Sequence, residues 1–92
     1  MRIIGEFDID GIKATVFVMN ERISVKYEYQ LMEQTYKFRD GSGIQSLADV
    51  ERFSMEKTSE RIKQIFTEMA KIRTEALVSM ATEEDDEFDV IL

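Results

Sequence analysis

Ile23-Ser24-Val25-Lys26-Tyr27-Glu28-Tyr29-Gln30-Leu31 decides the fold class. Ile, Val, Tyr, Tyr and Leu fall on one side of this run, and Ser, Lys, Glu and Gln on the other. Successive side chains of a β-strand point to opposite faces, so a period of two marks a strand with one face buried. The alternation continues in Thr35-Tyr36-Lys37-Phe38-Arg39, with Tyr36 and Phe38 inward. A chain that repeats this pattern folds as an antiparallel sheet with one face covered.

Working outward, Arg2 to Ile9 and Ile12 to Met19 are β-rich but less cleanly alternating. Asp10-Gly11 lies between them and reads as a two-residue hairpin turn, because glycine tolerates the positive φ that a type I′ turn requires. Asn20-Glu21 stands where a second tight turn is needed, and asparagine is the usual non-glycine residue at positive φ. A third reversal is expected between Leu31 and Glu33, in a stretch without Gly or Asn. The predicted sheet is therefore a four-stranded meander over 2–9, 12–19, 22–31 and 33–39. With Ile12, Ala14, Val16 and Val18 inward, Phe17 and Met19 face outward and Ile4 joins them.

Asp40-Gly41-Ser42-Gly43 ends the strand pattern. Ser46-Leu47-Ala48-Asp49 then has the form of a capping box with Asp in place of Glu, which predicts a short helix over 46–53. A longer helix is predicted over 55–81. Met55, Thr58, Ile62, Ile65, Met69, Ile72, Ala76 and Met80 recur at steps of three and four that alternate up to Ala76, the stripe of an amphipathic helix. The fold class is thus α+β, with the long helix packed on one face of the meander. Its core is predicted to hold Val16, Val18, Ile23, Val25, Tyr27, Tyr29, Tyr36, Phe38, Ile62, Ile65, Phe66, Met69 and Ile72. A helix of that length spans about 40 Å, whereas an eight-residue strand spans about 27 Å. The apolar stripe therefore outruns the sheet, and a second copy of the chain is the expected cover.

Composition narrows the chemistry. The 92 residues include no Cys, His, Pro or Trp. That removes disulfides, Cys- or His-ligated zinc, iron–sulfur clusters and every histidine-based triad. No apolar run has the length of a membrane span or the pattern of a signal peptide, so a cytoplasmic location is the default expectation. Nineteen acids against 12 bases give a net charge of −7. Six of those acids lie in Glu83-Glu84-Asp85-Asp86-Glu87-Phe88-Asp89, leaving 13 acids against 12 bases elsewhere. Residues 83–92 are accordingly set apart from the domain, 1–82, as an acidic tail.

Glu6, Asp8 and Asp10 before Gly11 look like a fragment of a calcium loop. Counted from Asp8, however, the twelfth position, which needs a bidentate Glu, is Met19. No metal, cofactor or catalytic residue is expected. Two surfaces are the candidate sites. Ile62, Ile65, Met69, Ile72, Ala76 and Met80 on the long helix, with Phe17 and Met19 on the outer sheet face, are candidates for a protein interface, homodimeric or with another protein. Lys13, Phe17, Lys26, Lys37 and Arg39 interleave an aromatic with cations on the outer face, a composition suited to single-stranded nucleic acid. The order of four strands and then a helix is similar to that of the Whirly and PUR nucleic-acid binders. This likeness of element order carries over no site residue.

The sequence thus predicts a small, non-catalytic interaction domain that self-associates. The alternatives are nucleic-acid binding on the outer sheet face, and an acidic inhibitor or antitoxin-like protein that uses its tail.

Overall fold

The computed structural model describes residues 1–83. Four strands, β1 (Arg2–Ile9), β2 (Ile12–Met19), β3 (Arg22–Tyr29) and β4 (Met32–Lys37), form one antiparallel sheet in the order β1-β2-β3-β4. The predicted α+β meander is the observed fold. Each reversal takes two residues at positive φ: Asp10 and Gly11, Asn20 and Glu21, Gln30 and Leu31. This is the type I′ geometry that matches the twist of the flanking strands.

The third turn corrects the expected boundaries. β3 stops at Tyr29 instead of Leu31, and β4 starts at Met32 with Tyr29 paired to it. Leu31 stands at the turn tip, 101% exposed. Alternation alone would carry the strand through Leu31, but the tight turn removes it from the ladder. With this register Met32, Gln34 and Tyr36 share the inner face, in line with Tyr29, Tyr27 and Val25.

A second correction concerns β1. The pairing shifts between Ile3 and Gly5, which lie opposite Phe17 and Val16. The extra residue of this bulge is Ile4, which packs against the core instead of joining the outer face. Ile3 takes the place beside Phe17. Gly5 sits under Leu47, and a Cβ there would come within 2.5 Å of the leucine methyl group. The missing side chain lets the first helix lie close on β1.

That helix, α1 (Leu47–Arg52), begins as its sequence dictates. The Ser46 Oγ accepts the Asp49 amide at 3.2 Å, and Asp49 Oδ2 accepts the Gln45 amide at 2.9 Å. The Gln45 amide, with Ser46, holds the Asp49 carboxyl below the usual carboxylate range. Instead of ending there, the chain continues as a π-helical turn over Phe53–Lys57, breaks at Thr58, and resumes as α2 (Ser59–Glu83). At the break Thr58 Oγ1 donates to the Phe53 carbonyl at 2.9 Å, and the Thr58 carbonyl accepts the Ile62 amide at 2.9 Å. The π turn inserts a residue into the helical period and shifts its phase. Met55, expected on the stripe, is therefore 51% exposed.

The core lies between the inner sheet face and the helical half. Ile9, Ile12, Ala14, Val16, Val25, Tyr27, Met32, Val50, Ile62 and Phe66 are buried. Val18, Ile23, Tyr29, Tyr36, Phe38 and Met69 of the expected core are half-buried, while Ile65 and Ile72 lie outside it at 44% and 64% exposure. The stripe is wider than the sheet can cover, so only its Ile62–Phe66 side faces inward. Phe53 fills the space over β4, edge-on to Phe38 and Tyr36 at 5.0 and 6.0 Å between ring centroids.

Polar groups cross this core in pairs. The hydroxyls of Tyr27 and Ser54, both fully buried, hydrogen-bond to each other. Burial pushes the Tyr27 hydroxyl pKa up, opposed by this bond. Gln34 Nε2 donates to the Ile62 carbonyl at 3.0 Å, and Gln34 Oε1 accepts the Tyr36 hydroxyl at 2.8 Å. Tyr27→Phe leaves the Ser54 hydroxyl without this partner and is expected to cost about 1–3 kcal/mol, whereas Tyr27→Phe with Ser54→Ala recovers part of the loss. A urea double-mutant cycle reads the coupling, and strictly additive changes would show that the bond contributes nothing.

Candidate functional site

Two surfaces remain after the core is accounted for. The first is α2 beyond the sheet. Lys63 pairs with Asp10 at the β1–β2 turn, and Arg73 Nη1 donates to the Gln30 carbonyl at the β3–β4 turn, at 3.4 Å. The Asp10 carboxylate raises the Lys63 pKa above its ordinary value. These ties show that α2 runs toward the end of the sheet that carries both turns. Arg73 makes the last side-chain hydrogen bond from α2 to the sheet among the described residues. The ten residues that follow project about 15 Å, and the described molecule measures 53 × 26 × 20 Å. Along this overhang every residue except the half-buried Leu77 and Ala81 is exposed.

The helix candidates divide accordingly. Ile62, 2% exposed, belongs to the chain's own core and is withdrawn from the interface. Its carbonyl is held by Gln34, and the sheet covers its side of the helix. Met69 is half-buried. Ile65, Ile72, Ala76 and Met80 form the open seam, and Met80 is 56% exposed. Below α2 lies a groove of about 660 Å³, floored by Ile12, Tyr29, Met32, Phe66 and Ala70.

The second surface is the outer sheet face. Cross-strand register arranges its side chains in rows. Asp8, Lys13, Glu28 and Glu33 make the first row, at the end where α2 projects. Glu6, Thr15, Lys26 and Thr35 make the next, then Ile3, Phe17, Ser24 and Lys37. Met19 and Arg22 pair in the last row. Past the last strand pair the Phe38 amide bonds to the Ile23 carbonyl, and Arg39 comes beside Arg22, the two lining one recess. The charge therefore grades from acidic at one end to wholly basic at the other.

This gradient separates the five residues singled out for nucleic acid. Lys13 pairs with Glu6 at 3.3 Å, and Lys26 with Glu28 at 3.8 Å. Both cations are paired with a glutamate, and neither lines the recess around Phe17, although Lys26 stands in the next row. Phe17, Lys37 and Arg39 do come together, around a recess of about 440 Å³ that Met19, Arg22 and Ser24 also line. Arg22 was missed by the sequence reading, although its place one residue beyond the Asn20-Glu21 turn puts it in phase with Ser24 and Lys26. Phe17 and Met19 thus belong to this recess rather than to the α2 seam.

The calcium-like fragment resolves into separate local partners. Glu6 pairs with Lys13, Asp8 Oδ2 accepts the Gly11 amide at 3.1 Å, and Asp10 pairs with Lys63. Among the described residues no three carboxylates gather as a metal site. No helix of the described residues is long and apolar enough to cross a membrane. Of the acidic tail expected over 83–92, Glu83 is the last residue of α2, and 84–92 lie outside the described residues. Comparison with family models, curated proteins and solved structures returned no match for this chain.

Proposed function

We propose that the protein is a small, non-catalytic interaction domain of the cytoplasm that pairs with a second copy of itself through the open seam of α2. The exposed seam of α2 is the observation that carries this reading. Apolar side chains that would complete a core instead stand in solvent at Ile65, Ile72 and Met80. Leaving such surface wet costs about 25 cal/mol per Å². The spacing from Ile65 through Met69, Ile72 and Ala76 alternates four and three, the near-heptad step that lets two helices interlock. A second copy supplies the same seam and so covers both at once, the self-complementary arrangement of a two-fold dimer.

Size-exclusion chromatography with light scattering, over a hundredfold range of concentration, tests the reading. The expected mass is that of two chains, with dissociation only at the dilute end. A single-chain mass throughout overturns it.

A further inference from the structure

We propose that the basic end of the outer sheet face binds single-stranded nucleic acid, with Arg22, Arg39 and Lys37 on its phosphates and a base against Phe17. This site is independent of α2, which packs on the opposite face of the sheet.

Arg22, at the start of β3, and Arg39, two residues past the end of β4, line the same recess. Like charges brought together in this way repel each other. Lys37 lies one row away on the same face. None of the three makes an ion pair among the described residues, although Glu21 and Asp40 are their neighbours in sequence. The contrast with Lys13 and Lys26, each matched to a glutamate, is internal to the same face. Three cations within one recess, none with an acidic partner among the described residues, make a site for an anion.

The recess itself selects among anions. Its floor is Ser24, buried between the larger side chains of Phe17 and Lys37, and Met19 closes the edge beside Arg22. A half-exposed aromatic ring beside a shallow hollow fits a flat, unpaired base, which stacks regardless of its identity. Lys37, the last residue of β4, and Arg39, two residues on, are at most about 7 Å apart along the chain, a span suited to neighbouring phosphates. Asp8, Glu28 and Glu33 at the far end repel a phosphate chain and confine it to the Phe17 end. An acidic peptide would meet the cations but leave the ring without a planar partner.

Fluorescence anisotropy with the full chain and a labelled twelve-residue oligothymidylate tests this at low salt. Binding is expected, with a log–log salt slope of about −2, the value for three phosphates on a single strand. Arg22→Glu with Arg39→Glu is expected to abolish it. Phe17→Ala is expected to weaken it about tenfold while leaving the salt slope unchanged. Lys13→Gln with Lys26→Gln should weaken it far less than Arg22→Gln with Arg39→Gln, because neither lysine lines the recess. Arg39→Gln removes one of the like charges, so its thermal midpoint should equal or exceed the parent's as its affinity falls, which separates lost contact from lost fold. The proposal is overturned if the oligonucleotide does not bind, if binding survives the Arg22/Arg39 reversal, or if oligoglutamate of equal charge binds as tightly.

Discussion

Ile72→Glu combined with Met80→Glu is expected to leave a folded single chain at every concentration where the parent forms a pair. Both side chains stand mostly in solvent on the open seam of α2, so the monomer loses almost nothing by their replacement. In the pair each would bury apolar surface worth about 1–2 kcal/mol, and a buried glutamate adds a desolvation penalty. Two such changes on each chain weaken association by at least about a hundredfold, at 1.4 kcal/mol per factor of ten. Light scattering reads the mass, and far-ultraviolet circular dichroism confirms that the sheet and helices persist. If the double variant still has the mass of two chains, association runs through a different surface, and the helix seam is not the interface.

Phe66→Ala should produce the largest loss of stability. Phe66 is 2% exposed and its ring lies 5.9 Å from that of Tyr29. Truncating a buried phenylalanine costs about 3–5 kcal/mol, from lost transfer energy and the void left behind. Against a total of about 5–15 kcal/mol for a small domain, this approaches loss of the fold. The urea midpoint is expected to fall by about 3–5 M, given an m-value near 1 kcal/mol/M for a chain of this size. Ile65→Ala, one residue earlier, provides the contrast. Ile65 is 44% exposed, and its truncation should cost under about 1 kcal/mol in the dissociated chain. Equal losses at the two positions would show that the sheet covers a different side of α2.

These two neighbours also mark where sequence reading stops. The strands were legible because one buried face leaves a period of two, and the inner phase of β2 and β3 came out correctly from it. The same phase already held Gln34, two residues before Tyr36, yet a buried glutamine was not sought because polar residues are expected outside. Its partner, the Ile62 carbonyl, belongs to an element that only tertiary packing brings near. The turn at Gln30-Leu31 was misplaced because neither residue has a preference for positive φ. Paired strands on either side impose that conformation, overriding local propensity. The helical stripe was visible, but periodicity gives the direction of an apolar face and not how much of it a neighbour covers. Hence Ile62 and Ile65 looked equivalent, and Ile72 was assigned to the core. The π turn left no mark beyond a run compatible with an ordinary helix, and its extra residue is what removes Met55 from the stripe. On the outer face the cations were found, but their pairing was not. Which of them are compensated depends on cross-strand register, and Arg22 gained its significance only when Arg39 was placed beside it.

The regular spacing of the three turns bears on how the chain reaches this structure. Ile9 meets Ile12, Met19 meets Arg22, and Tyr29 meets Met32, so each strand finds its partner in the segment that follows it. No long loop has to close before pairing starts, and a hairpin of this kind zips in about 1–10 μs. α1 and α2 are equally local. The contacts that join distant parts of the chain are those between the two halves, such as Tyr27 with Ser54 and Asp10 with Lys63. The non-local part of the topology is therefore a single docking, of the helical half over a sheet whose pairing order is written in ten-residue steps. Until Val50, Ile62 and Phe66 arrive, Val16, Val25 and Tyr27 face water, and that interval is when the chain is most exposed to pairing with the wrong neighbour.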